Sequence, residues 1–199
     1  MAEVTIHNSP IHSDTILTAV YGEKGPNWSR FHTGTDFAPY GTTPPRPTLY
    51  SVCTGTVENV IHYTGTEALG NQVIIKDSVT NNYWRYCHLT QILVTAGANV
   101  TTATAVGVMG DTGNVTGVHL HLEYSSVSYW DSTYTYFLNP SEALGIPNVR
   151  GTIVHYDGSI PPEPPTEREK GFKWWIFTKP IKQRRNLARL NWHKNQNKI

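Results

Sequence analysis

Cysteine is nearly absent. Cys53 and Cys87 are the only two in 199 residues, too few for a disulfide-dense scaffold and wrongly spaced for a zinc knuckle. No apolar run approaches the ~20 residues that a membrane-crossing helix needs, which excludes a helical spanning protein. Charged residues make up only 16% of the chain. The opening residues, MAEVTIHNSPIHSD, carry neither a basic n-region nor an apolar core, so a secretory signal is not expected there. What is abundant points the other way. Six Trp, eleven Tyr and sixteen Gly, among many Thr and Val, favour β-structure over a helical bundle. A chain of this length suits one globular domain, or one domain plus a tail. Such a domain buries about two-thirds of its unfolded surface, so it needs no covalent staple.

The net charge of +1 hides a split. Residues 1–166 hold six Lys and Arg against thirteen Asp and Glu, a net of −7, whereas 167–199 hold ten against two, a net of +8. An acidic body with a basic appendage is the expectation. Between them GSIPPEPPTEREK (158–170) has the proline content of a semi-rigid linker. The expected division is therefore a folded domain over 1–157, a Pro-rich linker over 158–170 and a basic aromatic tail over 171–199. Within the domain, TLYSVCTGTVENVIHY (48–63), NQVIIKD (71–77), NNYWRYCHL (81–89) and VHLHLEYSSV (118–127) are β-rich stretches bounded by turn formers. They predict an all-β fold, a compact antiparallel sheet. LNPSEALG (138–145) reads as one helical turn, with Asn139 or Ser141 as cap and Gly145 as stop. Residues 146–157 read as a last strand or extended wrap.

Of nine histidines, His7, His12, His62, His155 and His193 stand alone and are expected to be surface or hydrogen-bonded structural residues. The rest fall into three groups. FHTGTDFAPYGT (31–42) holds His32 and Asp36 four residues apart, with Gly34 between them expected to bend the chain so that both side chains converge. In VHLHLEY (118–124) the two-residue period of a strand puts His119 and His121 on one face and Leu120 and Leu122 on the other. In YCHL (86–89) the same alternation sets Cys87 on the opposite side from His88, which makes Cys87 a buried thiol. Two histidines and one aspartate are the parts of a catalytic zinc site, which takes three protein ligands and leaves its fourth position to water. Such an ion lowers the pKa of its water from 15.7 toward ~7, and two neighbouring histidines can serve proton transfer and oxyanion stabilisation. The glycine-rich GVMGDTGNVTG (107–117) lacks the ending of a phosphate-binding loop and reads as a turn delivering the H-x-H strand.

These elements resemble the signature of the lysostaphin/LytM-type zinc metallopeptidases, which cut peptide bonds in bacterial peptidoglycan. The resemblance runs in order from Tyr21 to Tyr124. It takes in the H-x-x-x-D pair, the adjoining DFAPYGT, the turn Gly55 to Val57, GNQVIIKD (70–77), Tyr86 to Leu89, GDTGNVTG (110–117) and H-L-H-L-E. It implies that His32, Asp36 and His121 bind one Zn2+ per chain and that His88 and His119 are the catalytic histidines, in either order of roles. Glu123 shares the face of His121 and reads as a partner of that ligand or as an exposed carboxylate. Tyr21, Trp28 and Tyr40 read as groove residues or as ordinary packing. The stretch after Gly41, TTPPRPTLYSV, is several residues longer than the family usually has, which bears on one groove wall.

The tail joins an aromatic cluster (Phe172, Trp174, Trp175, Phe177) to a basic stretch. It reads either as a solvated tail or as a tether to virion tail proteins or anionic wall polymers; no nucleic-acid motif accompanies it. A wall substrate together with no visible leader leads to the expectation of an enzyme of phages of Gram-positive hosts, carried in the virion or released at lysis. Two other readings compete. One is a non-hydrolytic metal enzyme on a β-barrel, disfavoured because the iron facial triad wants a tighter H-x-D. The other is a virion-structural or wall-binding module in which the metal only clips loops together.

Overall fold

A computed structural model of the chain describes residues 2–25, 31–128 and 134–159. The chain divides into two units, Met1–Pro162 and Glu163–Ile199. The second unit, the basic aromatic tail and nearly all of the proline-rich stretch lie outside the described residues. Among the described residues the strands, in chain order, are β1 (Glu3–Ile6), β2 (Thr15–Ala19), β3 (Gly34–Pro39), β4 (Thr48–Tyr50), β5 (Gly55–Ile61), β6 (Asn71–Asp77), β7 (Tyr83–Leu89), β8 (Gln91–Ile92), β9 (Asn99–Val100), β10 (Ala105–Val108), β11 (Leu120–Ser125), β12 (Phe137–Leu138) and β13 (Ile153–Tyr156).

One large sheet runs β1-β13-β2-β3-β11-β7-β6-β5-β9, with β12 also on β11, and a small sheet runs β4-β10-β8. The fold is all-β, as the composition predicts. Pairing is antiparallel except at one edge, where β1 lies parallel to β13 in the register Glu3↔Ile153. Strand β6 buries Val73, Ile74 and Ile75 in succession, the continuous apolar run of a strand covered on both faces. The core gathers Leu17, Phe37, Leu49, Val57, Val73, Ile75, Trp84, Tyr86, Val106, Leu120 and Leu122. Phe37 and Leu120 face one another across the β3–β11 ladder, and both are fully buried.

The single helical turn, α1 (Pro140–Ala143), starts where Asn139 accepts the backbone N–H groups of Ser141 and Glu142. That is the capping an asparagine supplies. It stops before Gly145, whose φ of +72° belongs to the left-handed region. Ser141, the alternative cap, is buried, and its hydroxyl pairs with that of Thr35 on β3. Cys53 and Cys87 are both free and buried. Burial pushes the Cys53 thiol up to about 12 and that of Cys87 well above its ordinary value.

Strand β11 sits between β3 and β7. Leu120 and Leu122 go to the core, while His121 and Glu123 occupy the alternate positions. Across the ladders His121 lies opposite Asp36 on β3 and opposite Cys87 on β7. Directly opposed residues of an antiparallel pair share a face, so this register alone brings Asp36 beside His121.

Candidate metal centre

Asp36 Oδ1 lies 2.8 Å from His121 Nδ1 and 3.2 Å from His32 Nε2. The two ring nitrogens are 3.0 Å apart. One donor atom from each of the three residues falls within 4.8 Å of the others. Nitrogen and oxygen donors sharing a tetrahedral zinc at 2.0–2.1 Å are about 3.3 Å from one another. These spacings therefore fit one small ion of that kind, and the donor set of two imidazoles and one carboxylate suits zinc. His119 stands beside them, with Nε2 3.8 Å from Asp36 Oδ2, and its ring is 4.9 Å from that of His88.

Each of the four imidazoles is anchored by its other nitrogen. His32 Nδ1 donates to the Val20 carbonyl at 3.1 Å, His88 Nδ1 to that of Thr112 at 2.9 Å and His119 Nδ1 to that of Gly117 at 2.9 Å. His121 differs, because its Nε2 donates to the Glu123 carboxylate at 3.2 Å. Such partners fix the tautomer and the ring orientation, leaving Nε2 of three rings and Nδ1 of His121 for the site.

The electrostatics follow from the same contacts. Burial by itself would raise the Asp36 carboxyl, but hydrogen bonds from His121 and His32 hold it well below the usual carboxylate range. Burial would likewise lower His121. Its bonds to Asp36 and Glu123 outweigh that and bring the metal-free ring to about 9. Glu123 is fully enclosed, which would raise it, yet the Arg85 charge and then His121 and Thr33 bring it down to about 2. Burial drops His88 to about 4, with His121 acting in the same direction.

Two local features differ from the sequence expectations. Gly34 does not bend the chain; it lies within β3. Its purpose is clearance, since a Cβ there would lie 2.4 Å from the Leu122 carbonyl oxygen, 2.8 Å from His121 Cε1 and 3.0 Å from Glu123 Cγ. Nor does Cys87 face away from the site while His88 faces it by simple alternation. Cys87 opposes His121 and so shares its face, and regular alternation would turn His88 away. Instead β7 bulges. Asn71 pairs with Leu89 and Val73 with Tyr86, so Cys87 and His88 together oppose the single residue Gln72. His88 takes a φ of +63°, a left-handed conformation that costs a non-glycine residue about 1–3 kcal/mol. Bulges of this sort re-aim side chains, and this one returns the His88 imidazole to the site.

A cleft of about 580 Å³ opens over these groups, lined by His32, Asp36, His88, His119 and His121 with Thr33, Ala68, Leu69, Asn114, Val115 and Thr116. Residues 30–131 match the sequence profile of Peptidase family M23. The chain belongs to that family. Relatives of Vibrio cholerae include the peptidoglycan DD-endopeptidase ShyA, 40% identical over 94 residues, and ShyC, 38% identical over 95. These stretches cover 46% and 47% of this chain but 20% of each relative, so the chain spans about a fifth of their length. In fold it is similar to the catalytic domain of lysostaphin from Staphylococcus simulans, at a TM-score of 0.55 and 22% identity over 66% of this chain and 92% of that one. LytU is similar at 0.53 and 23%, over 65% and 83%.

Around this M23 site the other sequence candidates fall differently. Tyr21 and Tyr40 do not line the cleft. The Tyr21 hydroxyl donates to the Phe137 carbonyl and its ring packs edge-on against Phe31, while Tyr40 follows the far end of β3. Trp28 lies outside the described residues. Among the isolated histidines, His7 meets Asp157, His155 meets Asp14, and His12 stacks between Tyr50 and Tyr156. The long stretch after Gly41 does reach the site's surroundings. Arg46 forks onto the Asp111 carboxylate at 3.0 and 2.8 Å, and the Met109 amide donates to the Pro47 carbonyl. Both contacts brace the loop whose Thr112 carbonyl holds His88. Sequence reading passed over Thr33 and Arg85, because neither belongs to a metal-ligating residue type. Their signal is positional: Thr33 adjoins His32, and Arg85 lies one alternation before Cys87.

Proposed function

We propose that the chain is a zinc-dependent endopeptidase that hydrolyses peptide bonds in bacterial peptidoglycan, with His32, Asp36 and His121 holding the metal and His88 and His119 acting on the substrate. The observation that carries this reading is the convergence of two imidazole nitrogens and a carboxylate oxygen at the floor of a cleft that two further imidazoles line. Bound there, zinc would supply Lewis acidity toward the peptide carbonyl and a water of lowered pKa. Everything else is work for the chain's own groups. With Nδ1–H committed to the Thr112 carbonyl, neutral His88 offers the Nε2 lone pair to the cleft and can accept a proton from the attacking water. His119, anchored on Gly117, offers its Nε2 from the other side of the site. Whichever ring takes the proton becomes a donor to the leaving amine, while the other, its Nδ1–H already committed, can donate to the developing oxyanion only when it is protonated at Nε2 as well. Glu123 keeps the His121 ring in place.

Among the described residues no Lys, Arg or Glu lines the cleft, and apart from Asp36 and the histidines its walls are small or neutral. It therefore suits an uncharged stretch of peptide backbone. The DD-endopeptidase names of the Vibrio relatives favour a stem-peptide link over a glycine-containing bridge. A basic aromatic tail after a proline-rich linker, as in endopeptidases of phages infecting Gram-positive hosts, supports the further reading of a phage-borne enzyme. That enzyme would act at the host wall, with residues 171–199 engaging virion proteins or anionic wall polymers.

Digestion of purified sacculi tests the function. The expected result is release of new amino groups, abolished by a chelator and restored by about one zinc per chain. His88→Ala and His119→Ala should retain the metal while losing at least ~100-fold in turnover. Wall binding without new amino groups would overturn the enzymatic reading. Mass spectrometry of fragments from defined peptidoglycans decides which bond is cut.

A further inference from the structure

Three of the four site imidazoles lean on backbone carbonyls, which the chain itself holds in place. His121 leans on the Glu123 side chain, and a glutamate has three torsions of its own. Something must therefore hold Glu123. Its Oε2 is taken by Arg85, whose Nε and Nη2 both approach at 2.5 Å. Its Oε1 accepts the Thr33 hydroxyl at 2.5 Å and His121 Nε2 at 3.2 Å. The carboxylate is 1% exposed and the arginine side chain 13%, so water has little access to replace either partner. Three adjacent strands of the large sheet, β3, β11 and β7, surround the carboxylate. Arg85 on β7 and Gly34 on β3 are the cross-strand neighbours of Glu123, Thr33 immediately precedes Gly34, and the missing Cβ at Gly34 leaves space for both His121 and Glu123.

We propose that Arg85 is a positioning residue for the metal centre, acting through Glu123 to hold the His121 imidazole in the one orientation that presents Nδ1 to His32 and Asp36. The proposal rests on the reading of those three residues as zinc ligands. A planar guanidinium fixes the tilt of a carboxylate in a way that a point charge does not. Removing it leaves a buried carboxylate without its main counter-charge, and the carboxylate then shifts or recruits another donor. In either case His121 loses its fixed acceptor. A salt bridge that merely ties β7 to β11 would weaken the fold and leave metal binding intact, and this difference makes the proposal testable.

The test is zinc affinity of the full chain, measured by competition with a chromophoric chelator well below the melting point, with thermal melting of the metal-free protein recorded alongside. The variants are Arg85→Met, Arg85→Lys, Glu123→Gln and the doubles with Glu123→Gln. Arg85→Met should weaken zinc binding 10- to 100-fold, the range seen when partners of metal ligands are removed. Arg85→Lys should fall between it and wild type. In the Glu123→Gln background either Arg85 substitution should cost less than about twofold more, because its route to the metal is already cut. Folded Arg85→Met with affinity within twofold of wild type overturns the proposal. So do losses that multiply in the double variant. Should Arg85→Met fail to fold, Arg85→Lys with Glu123→Gln completes the same cycle. A wild-type chain that holds no zinc would overturn the ligand reading itself, and would do so before any variant is made.

Discussion

Gly34→Ala puts one methyl group where three atoms already stand. Its Cβ would lie 2.4 Å from the Leu122 carbonyl oxygen and 2.8 Å from His121 Cε1. Carbon–oxygen contacts between strands settle at about 3.3–3.6 Å, so β3 and β11 must part locally by about 1 Å, or the His121 ring must tilt away. The β3–β11 ladder, which runs from Gly34 to Phe37, resists the first, and the Glu123 bond resists the second. Overpacking of this kind costs about 1–3 kcal/mol. For a domain of this size that lowers the melting temperature by roughly 2–12 °C. The metal site is less forgiving than the fold, because zinc–ligand distances tolerate only ~0.2 Å. Zinc affinity should therefore fall 10-fold or more. Gly55→Ala is the matched control. Its Cβ would lie 2.1 Å from the Lys76 carbonyl oxygen, a somewhat closer clash on β5, which does not border the site. Calorimetric melting and chelator competition on both variants should show destabilisation in each and weakened zinc binding in Gly34→Ala alone. A Gly34→Ala protein that binds zinc as wild type does, or a Gly55→Ala protein that loses zinc equally, refutes the reasoning.

Zinc binding should depend on pH in a set direction. The metal-free His121 ring sits at about 9, so below that pH the metal must displace its Nδ1 proton. Affinity should then rise about tenfold per pH unit up to roughly 9 and flatten above. Titration calorimetry in buffers of different ionisation heat should find about one proton released per zinc at pH 7; finding none would count against this account. Phe37→Ala removes a fully buried ring that faces Leu120 across the ladder. It should cost about 3–5 kcal/mol in urea unfolding, and a loss below 1 kcal/mol would contradict the packing described. Cys53 and Cys87 are buried with raised pKa values, so both thiols should stay silent to a disulfide reagent until denaturant is added. Fast reaction of either in the native protein would contradict their burial.

Much of the site was legible because its parts follow short-range rules. The spacing of His119 and His121 needs only the two-residue period of a strand. Leu120 and Leu122 go to the core for the same reason, and H-x-x-x-D with the ordered elements after it marked the family. Asn139 and Gly145 bounded the helical turn by capping chemistry alone. Composition and β-branched runs settled the all-β class without reference to any partner strand.

What the amino-acid order by itself determined, then, is which residues are candidates for the site and how His121 and Glu123 alternate with Leu120 and Leu122 along β11. Tertiary structure decided how they meet. The register of β3 against β11 places Asp36 opposite His121, and no spacing along the chain encodes a cross-strand register. The bulge at Cys87 and His88 reverses the alternation that a sequence reading must assume, because an extra residue in one strand is defined only by the strand it pairs with. Gly34 is needed for clearance from Leu122 and His121, residues almost ninety positions away, although from sequence it reads as a bend. Arg85 meets Glu123 only once β7 lies beside β11. Local periodicity decides where a side chain points, and only the packed sheet decides what it points at.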